Sequence, residues 1–488
     1  MTLSNLGYFN IKKLLSVCMS DRKTIFITYY WKTFLNCLSI DQMLFTIFIF
    51  FVYLSTSIGY FFLPADGSAF PGFIFLYTTQ YVGYFFLIYR IREGNALNLK
   101  FFIGLAIAVR VLLAFSSPII EDDYWRYLWD GRVLAHFLNP YAFAPDNPYY
   151  DSLDVFYRSK IGFKEFGTIY PPVAIAVFAI AHLVKADSLL ILKLILILFD
   201  LMTGHIIWKW LKYRNQNTNW SLIYLLSPLV LKEIANSGHL DSVAVFFTTL
   251  SFYLLETNLK SEKKEIVSSF GVWVSFALAV GSKIYPIILL PLIIRFNKSW
   301  IKGFCLFLLL IFLFYLPFFS ARGDLLDGTK AFAKYWLFNA SLYSIFSYLI
   351  NSVIEALSLP FSSLIGQEFV AKIFVGFLCA GFCLFIAKKT RHTRSLPTAS
   401  SLSIGSVLLL SPVVNSWYVL WLLPFACFDS GFIWLIFSYL ISMSYSWFYD
   451  PDTVNYFVLL EYAIFYSLMF FLSKKSRFSI ARDFEALN

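Results

Sequence analysis

FFIGLAIAVRVLLAFSSP, residues 101–118, leads after two residues into EDDYWRYLWDGR, residues 121–132. The first stretch is apolar enough for a membrane-spanning helix, whereas half of the residues in the second are charged. Carboxylates and guanidinium groups are therefore expected at the membrane–water boundary. Helical spacing would put Asp123, Arg126 and Asp130 on one face, with Glu121 and Trp125 on another. A solvated interfacial helix anchored by Trp and Tyr has the same composition, so the function must be argued from more of the chain.

The composition is that of a membrane protein. Hydrophobic residues make up 59% of the chain and aromatic residues 20%, and the mean hydropathy is +0.69. These values are typical of an all-α, polytopic helical membrane protein and exclude a soluble globule. The net charge of +10 could indicate nucleic-acid binding, but Lys and Arg are concentrated in short segments between apolar runs. We therefore expect a lipid bilayer, and no nucleic acid, as the partner of the basic residues.

The basic segments predict the topology, because cytoplasmic loops carry an excess of Lys and Arg. They include Arg90/Arg92, Lys209/Lys212/Arg214, Arg295/Lys298 and Lys388/Lys389/Arg391/Arg394. Residues 1–41 are predicted to be a cytoplasmic or interfacial segment, residues 42–473 the membrane domain and residues 474–488 a cytoplasmic tail. Residues 118–187 and 318–368 are predicted to be large external loops.

Apolar runs predict about 12–14 transmembrane helices. The predicted spans are 44–63, 72–91, 100–117, 188–208, 218–232, 240–256, 267–282, 284–295, 300–317, 369–387, 399–412, 417–428, 431–449 and 454–473. The run 173–184 is short for a crossing. The charge bias allows only one crossing between residues 118 and 209, so 173–184 is predicted to be a re-entrant or interfacial helix.

Polar residues from several segments are predicted to meet on the external side. They are Lys232, Glu233, Asn236, His239 and Asp241 in one turn, Lys283 and Tyr285 in the next, and Asn415, Trp417 and Tyr418 in a third. Ionisable groups at membrane depth are costly and therefore candidate functional groups. The competing interpretations are that Lys283 extends its ammonium to the interface and that His239 is structural. No glycine-rich phosphate loop or nucleotide-binding fingerprint is present, which argues against a nucleotide-sugar donor.

The sequence resembles the GT-C superfamily of membrane glycosyltransferases, and above all its mannosyltransferase-like branch that uses polyprenyl-phosphate sugars. The resemblance runs from about residue 100 to 425. It is carried by the 122–133 stretch, Asn139-Pro140-Tyr141, Tyr170-Pro171-Pro172, Gly238-His239-Leu240-Asp241, Lys283-Ile284-Tyr285-Pro286 and Trp417–Pro424. The chain departs from the family in one respect, since two spans precede the span that leads into the acidic loop.

The resemblance implies roles for named residues. Asp123 is the first candidate for the catalytic base and Asp122 the second, and Lys283 is the candidate for the donor phosphate. The other expected substrate-binding residues are Arg126, Asp130, Arg132, Tyr170, His239, Asp241, Tyr285, Trp417 and Tyr418. No metal ligands are assigned and no cofactor is expected, although a divalent metal stays compatible with the sequence.

The expected function is an inverting transfer of a hexose, most plausibly mannose, from a polyprenyl-phosphate sugar to a glycan or glycolipid acceptor. The expected location is the extracytoplasmic face of a cell inner or plasma membrane. One alternative is a lipid-linked-sugar transporter or flippase, which should carry charges at the bilayer midplane. Another is an oligosaccharide ligase or polymerase of related architecture, which would transfer a preassembled glycan.

Overall fold

The computed structural model describes residues 42–95, 97–258, 265–319, 325–357, 367–428 and 431–473. The predicted cytoplasmic segment 1–41 and tail 474–488 lie outside these ranges, as do parts of the predicted loop 318–368. The chain divides into two compact units, residues 1–51 and 52–488. Of the first unit only the start of one helix is described.

The described ranges are built from helices and contain no β-strand. In chain order, the helices of nine residues or more are α1 Gln42–Gly59, α2 Phe70–Arg92, α3 Leu99–Ala114, α4 Tyr124–Ala135, α5 Pro172–Val184, α6 Leu189–Tyr213, α7 Asp241–Asn258, α8 Glu265–Ser282, α9 Trp300–Tyr315, α10 Asp327–Tyr335, α11 Leu342–Ala356, α12 Gln367–Lys389, α13 Leu396–Leu410, α14 Phe432–Leu440 and α15 Val454–Ser473. The shorter helical segments that matter for the site are Arg158–Lys160, Leu222–Leu225, Pro228–Val230, the π-helix Leu231–Asn236, Tyr285–Leu289, Leu290–Phe296, Ser416–Trp421, Leu423–Ala426 and Ile441–Tyr445.

Six helical segments in the described ranges are long and apolar enough to cross a membrane. They are Gln42–Phe62, Leu189–Tyr213, Trp300–Phe318, Glu368–Lys389, Phe432–Tyr449 and Val454–Phe471. The predicted fold class, a polytopic helical membrane protein, is therefore confirmed. The larger number of crossings and the sidedness of the loops stay predictions.

Some of the predicted spans are broken into separate short helices. The predicted span 218–232 contains the separate helices Leu222–Leu225 and Pro228–Val230, and 417–428 contains the end of Ser416–Trp421 followed by Leu423–Ala426. Proline is one cause, because Pro228 and Pro424 have no backbone N–H and each stands in the first turn of a new helix. Broken helices of this kind occur at membrane depth where protein surrounds them.

The segment between α3 and α4, residues 115–123, is named the acid loop here. The Asn98 side chain caps α3 by accepting a hydrogen bond from the Phe101 N–H, and α3 ends at Ala114. Ile120 has φ +71°, an unfavourable conformation for a β-branched residue. The helix α4 begins only at Tyr124, so the prediction that Glu121 lies on a face of this helix is wrong. The chain reverses direction at Ile120 and Glu121 precedes the helix.

Helix α4 packs closely against α5. A Cβ atom on Gly131 would lie 2.6 Å from the Phe178 backbone, so only glycine allows this approach. One turn earlier, the rings of Tyr127 and Phe178 stack with centroids 4.7 Å apart. Helix α5 begins at Pro172, where proline is favourable, and its 13 residues extend about 20 Å. That is short of the hydrocarbon core of a bilayer, in agreement with a helix that does not cross alone.

Charged residues inside the predicted spans have partners. Arg110 of α3 donates to the Asp200 carboxylate of α6 at 2.5 Å and to the carbonyl groups of Ala106 and Leu225. Both side chains of the ion pair are fully buried. A buried charge pair satisfied by further hydrogen bonds is stable at membrane depth and joins α3 to α6.

Candidate active site

Two buried side chains hold the acid loop in place. The Asn236 side chain accepts a hydrogen bond from the Ile119 N–H (3.1 Å) and donates one to the Ser117 carbonyl (2.8 Å). The Lys193 ammonium of α6 donates to the Ser116 carbonyl at 2.7 Å. Because Asn236 and Lys193 are fully buried, these bonds are shielded from water and fix the backbone that leads to the acids.

The three consecutive acids have different surroundings. Glu121 is buried, Asp122 is exposed, and Asp123 is partly buried immediately before α4. Desolvation and the neighbouring Asp122 charge raise the pKa of Asp123 to about 6, although the Lys283 ammonium acts in the opposite direction. Desolvation by the surrounding loop also raises the pKa of Asp122. A carboxylate that titrates near neutral pH is suited to act as a general base.

The face of α4 that follows Asp123 carries the predicted pair Arg126 and Asp130. The Arg126 Nε donates to Asp130 at 3.0 Å, as their spacing of four residues predicts. Asp130 also accepts a hydrogen bond from the Thr168 hydroxyl (2.6 Å), and Arg126 donates to the Phe166 carbonyl (3.1 Å). The Arg126 Nη2 is buried and has no hydrogen-bond partner within the described part of the chain. It is therefore a donor available to an anion or a sugar hydroxyl.

Arg132 and Tyr170 have different positions. Arg132 donates to the Asp187 carboxylate at 2.8 Å and to the Leu153 carbonyl, and thus ties α4 to the α5–α6 connection. Tyr170 lies nearer the acids. Its ring meets the Tyr127 ring edge to face with the centroids 5.1 Å apart, and the Asp123 charge acts on its hydroxyl. The structure thus places Tyr170 within electrostatic reach of Asp123, the candidate base, and gives Arg132 a supporting contact.

Lys283 forms an ion pair with Asp241. The ammonium lies 2.7 and 2.8 Å from the two carboxylate oxygens, and the fully buried Asp241 also accepts a hydrogen bond from the Trp421 indole at 2.6 Å. The Lys283 ammonium lies 4.7 Å from the Tyr418 ring centroid. Trp421 stacks with Tyr285 at 3.8 Å and with Tyr418 at 4.5 Å. Since the Lys283 side chain keeps 19% exposure, its ammonium is accessible beside a firmly held aromatic stack.

His239 connects the acid side of the site to the aromatic side. Its ring stacks on Trp417 at 4.0 Å, and Nδ1 lies 3.4 Å from the Tyr127 hydroxyl. Nε2 lies 3.3 Å from a Glu233 oxygen. Desolvation, followed by the nearby Lys232 and Lys283 charges, lowers the pKa of His239 well below its ordinary range. These contacts give His239 an orienting role between Tyr127 and Trp417.

A buried polar cluster of Glu121, Lys232, Glu233, Ser416 and Tyr445 lies beneath these groups. Glu233 accepts hydrogen bonds from the Ser416 hydroxyl (2.8 Å) and the Tyr445 hydroxyl (2.7 Å) and faces the Lys232 ammonium at 3.4 Å. Lys232 also donates to Tyr445. Desolvation raises the pKa of Glu121 well above its ordinary range, and because its side chain is buried Glu121 is a poorer candidate for the base than Asp123. The cluster joins the acid loop to distant parts of the chain.

Several of these residues have no role in the sequence-based prediction. The sequence analysis predicts Lys232, Glu233 and Asn236 in an external turn without a function, whereas in the structure they lie in the π-helix Leu231–Asn236, which gave no sequence signal. π-Helices are frequent at functional sites. Lys193, Tyr127, Trp421 and Tyr445 are given no role as site residues by the sequence analysis. For Lys193, a charge within an apolar run was the available signal.

The arrangement can perform proton transfer beside an anion-binding group. Asp123 is a base of suitable pKa, and Lys283 is close enough for its charge to act on Asp123. The stacked aromatic rings supply flat surfaces, and Arg126 supplies a donor. Among the described residues, no group of three or more His, Cys, Asp and Glu side chains is arranged to hold a metal ion.

Comparison with known proteins gave one match. Residues 74–297 match the family model described as alpha-(1->6)-mannopyranosyltransferase, N-terminal domain. No curated protein and no solved structure matches. The family match supports glycosyltransferase activity of the mannosyltransferase type and confirms the prediction of an enzyme of this class. The matched segment contains Asp123, His239, Asp241 and Lys283, whereas the Ser416–Trp421 segment lies beyond it.

Proposed function

We propose that this protein transfers mannose from a polyprenyl-phosphate mannose to a glycan or glycolipid at the external face of a cell inner or plasma membrane. The observation that carries the proposal is the position of Asp123, a carboxyl with a pKa of about 6, immediately before α4 and within electrostatic reach of Lys283. The name of the matched family suggests an α-(1→6) linkage.

In the proposed reaction, Asp123 accepts the proton of the acceptor hydroxyl. The acceptor oxygen attacks the anomeric carbon from the side opposite the phosphate, and the bond between that carbon and the phosphate oxygen breaks. The electron pair leaves with the phosphate, which gains negative charge. Inversion means that an α-linked product would come from a β-linked donor.

Lys283 is suited to stabilise the leaving phosphate. Two of its contacts are with Asp241, and an ammonium has three protons, so one remains for a phosphate oxygen. The buried Asp241 fixes the ammonium before the donor binds, which lowers the entropy lost on binding. The unpartnered Nη2 of Arg126 is a second donor for the phosphate or for a sugar hydroxyl.

The test is mannosyl transfer by purified protein, with radiolabelled polyprenyl-phosphate mannose as donor and octyl α-mannoside as acceptor. Lys283→Ala should raise the donor KM and lower kcat, because loss of one buried charge contact typically costs about 2–5 kcal/mol. Lys209→Ala is the matched control, since Lys209 is exposed at the predicted cytoplasmic end of α6. Equal activity of the two variants would remove Lys283 from the site, and failure of the wild type to transfer mannose from any polyprenyl-phosphate donor would refute the proposed function.

A further inference from the structure

Trp125, in the first turn of α4, forms a surface together with Phe156 and Lys160. The Trp125 ring stacks on Tyr157 at 5.4 Å and meets the edge of Phe156 at 6.1 Å. The Lys160 ammonium lies 5.1 Å from the Trp125 centroid and 5.6 Å from the Phe156 centroid. We call these three side chains the Trp125 surface.

One side of the Trp125 surface packs on a buried residue, and the other side is exposed. Tyr157 beneath it is 1% exposed and donates a hydrogen bond to Asp187 at 2.5 Å. Phe156, by contrast, is 75% exposed although its position is fixed by Trp125. Exposure of a large, fixed apolar ring to water is unfavourable in free energy. Contact with a ligand would remove part of the exposed apolar area from water.

The surface is continuous with the proposed catalytic acids. Trp125 follows Asp122 and Asp123 by only a few residues, and the rings of Tyr124 and Trp125 are 4.5 Å apart. Gly162 of the Lys160 segment lies beside Asp122, since a Cβ there would be 4.0 Å from the carboxylate. A molecule resting on the surface therefore extends directly to the exposed carboxylate next to the base.

The charges around the surface favour a sugar over a lipid chain. Asp151 and Asp154, which precede Phe156 and pair with Arg158, have side chains that are 68% exposed, and Asp122 is exposed as well. Carboxylates at such positions oppose insertion into hydrocarbon. A hexose presents an apolar C–H face to an aromatic ring and hydroxyl groups to carboxylates and an ammonium. Its chemistry thus complements both parts of the surface.

We propose that the Trp125 surface is the acceptor subsite, where the sugar of a mannose-bearing glycan or glycolipid binds beside Asp122 and Asp123. The proposal rests on the proposed function, which supplies the need for an acceptor. The donor phosphate, by contrast, is assigned to Lys283, which is not part of the Trp125 surface.

The test compares Phe156→Ala and Lys160→Ala with Phe137→Ala, a control at the end of α4 whose ring is 97% exposed. In detergent, with octyl α-mannoside as acceptor, we expect each subsite variant to raise the acceptor KM about two- to tenfold, as loss of one aromatic or cation–π contact implies. The donor KM should not change. The control should have the wild-type acceptor KM.

Direct binding separates this proposal from the proposed function. A saturation-transfer NMR titration with octyl α-mannoside reports binding without turnover, and Phe156→Ala should raise the dissociation constant about two- to tenfold. Binding by the wild type without transfer would refute the proposed function and leave the subsite standing. Transfer with an unchanged acceptor KM in Phe156→Ala would overturn the subsite, as would a defect seen only in phospholipid vesicles, which would show that the surface contacts lipid. If the wild type neither binds nor transfers, both proposals fail.

Discussion

Replacement of Asp123 by Asn removes a proton acceptor while keeping nearly the same shape. The Asp123 side chain makes no capping hydrogen bond to α4, and its hydrogen bond with the Tyr127 side chain can also be made by an amide oxygen. Folding should therefore be retained. Loss of a general base typically reduces the rate about 10²- to 10⁴-fold, and we expect kcat of Asp123→Asn to fall by that amount. Asp122→Asn should have a smaller effect on kcat.

The pH profile gives a sharper test, because the pKa of Asp123 is raised to about 6. A base works only when ionised, so kcat should rise as the pH increases through about 6 and reach a plateau above pH 7. At pH 5 only about one carboxyl in ten is ionised, and the rate should be about a tenth of the plateau. A carboxylate with an ordinary pKa would keep full activity at that pH.

Two variants should shift the acidic limb of the pH profile, which is the rise of kcat through about pH 6, in opposite directions. The Asp122 charge raises the pKa of Asp123, so Asp122→Asn should shift the limb to lower pH. The Lys283 charge lowers that pKa, so Lys283→Ala should shift the limb to higher pH. Both effects follow from Coulomb interaction with the ionised form of Asp123.

The assay is initial-rate transfer from polyprenyl-phosphate mannose at saturating donor between pH 4.5 and 8.5, with thermal melting to confirm folding. If Asp123→Asn transfers at the wild-type rate while Asp122→Asn is inactive, the base is Asp122. Full activity in both variants would refute base catalysis by this pair. A shift of the limb in the same direction for Asp122→Asn and Lys283→Ala would refute the electrostatic explanation of the pKa.

Three further outcomes follow from the structure. Asn236→Leu removes the hydrogen bonds that hold the acid loop, and kcat should fall about 10- to 100-fold with an unchanged donor KM; a lower donor affinity instead would contradict a positioning role. Gly131→Ala should destabilise the protein by about 1–3 kcal/mol, seen as a lower melting temperature, because the added Cβ meets the Phe178 backbone; unchanged melting would refute the tight α4–α5 packing. Cysteine introduced at Asp151 should react with an impermeant reagent in intact cells while one at Arg391 is protected, and the reverse result would invert the predicted topology.

Local spacing accounts for what could be predicted at the site. The Arg126–Asp130 pair follows from helical periodicity alone, and the apolar run before the acids predicts their place at the end of a helix. The resemblance supplied Lys283 and Asp241 as candidates. It did not supply their mutual ion pair, which joins residues 42 positions apart.

Long-range packing accounts for what could not be predicted. Glu233 meets Tyr445 across 212 residues, and Asp241 meets Trp421 across 180. Nothing in the sequence around Tyr445 distinguishes it from the many other aromatic residues of the chain, and the resemblance of Trp417–Pro424 does not pair Trp421 with Asp241. Only the fold decides which tyrosine or tryptophan lies against a buried carboxylate.

The ion pair between Lys283 and Asp241 has a consequence for the base. An unpaired ammonium near Asp123 would stabilise the carboxylate and make it a weaker base, whereas Asp241 raises the pKa of Asp123 and offsets the effect of Lys283. The same carboxylate leaves an ammonium proton for the donor phosphate. Once that phosphate gains charge in the transition state, the ammonium has two anions to stabilise, and the interaction with the phosphate strengthens as the bond breaks. In the proposed mechanism, pairing Lys283 with Asp241 would thus allow one site to hold a phosphate and keep a nearby carboxylate basic.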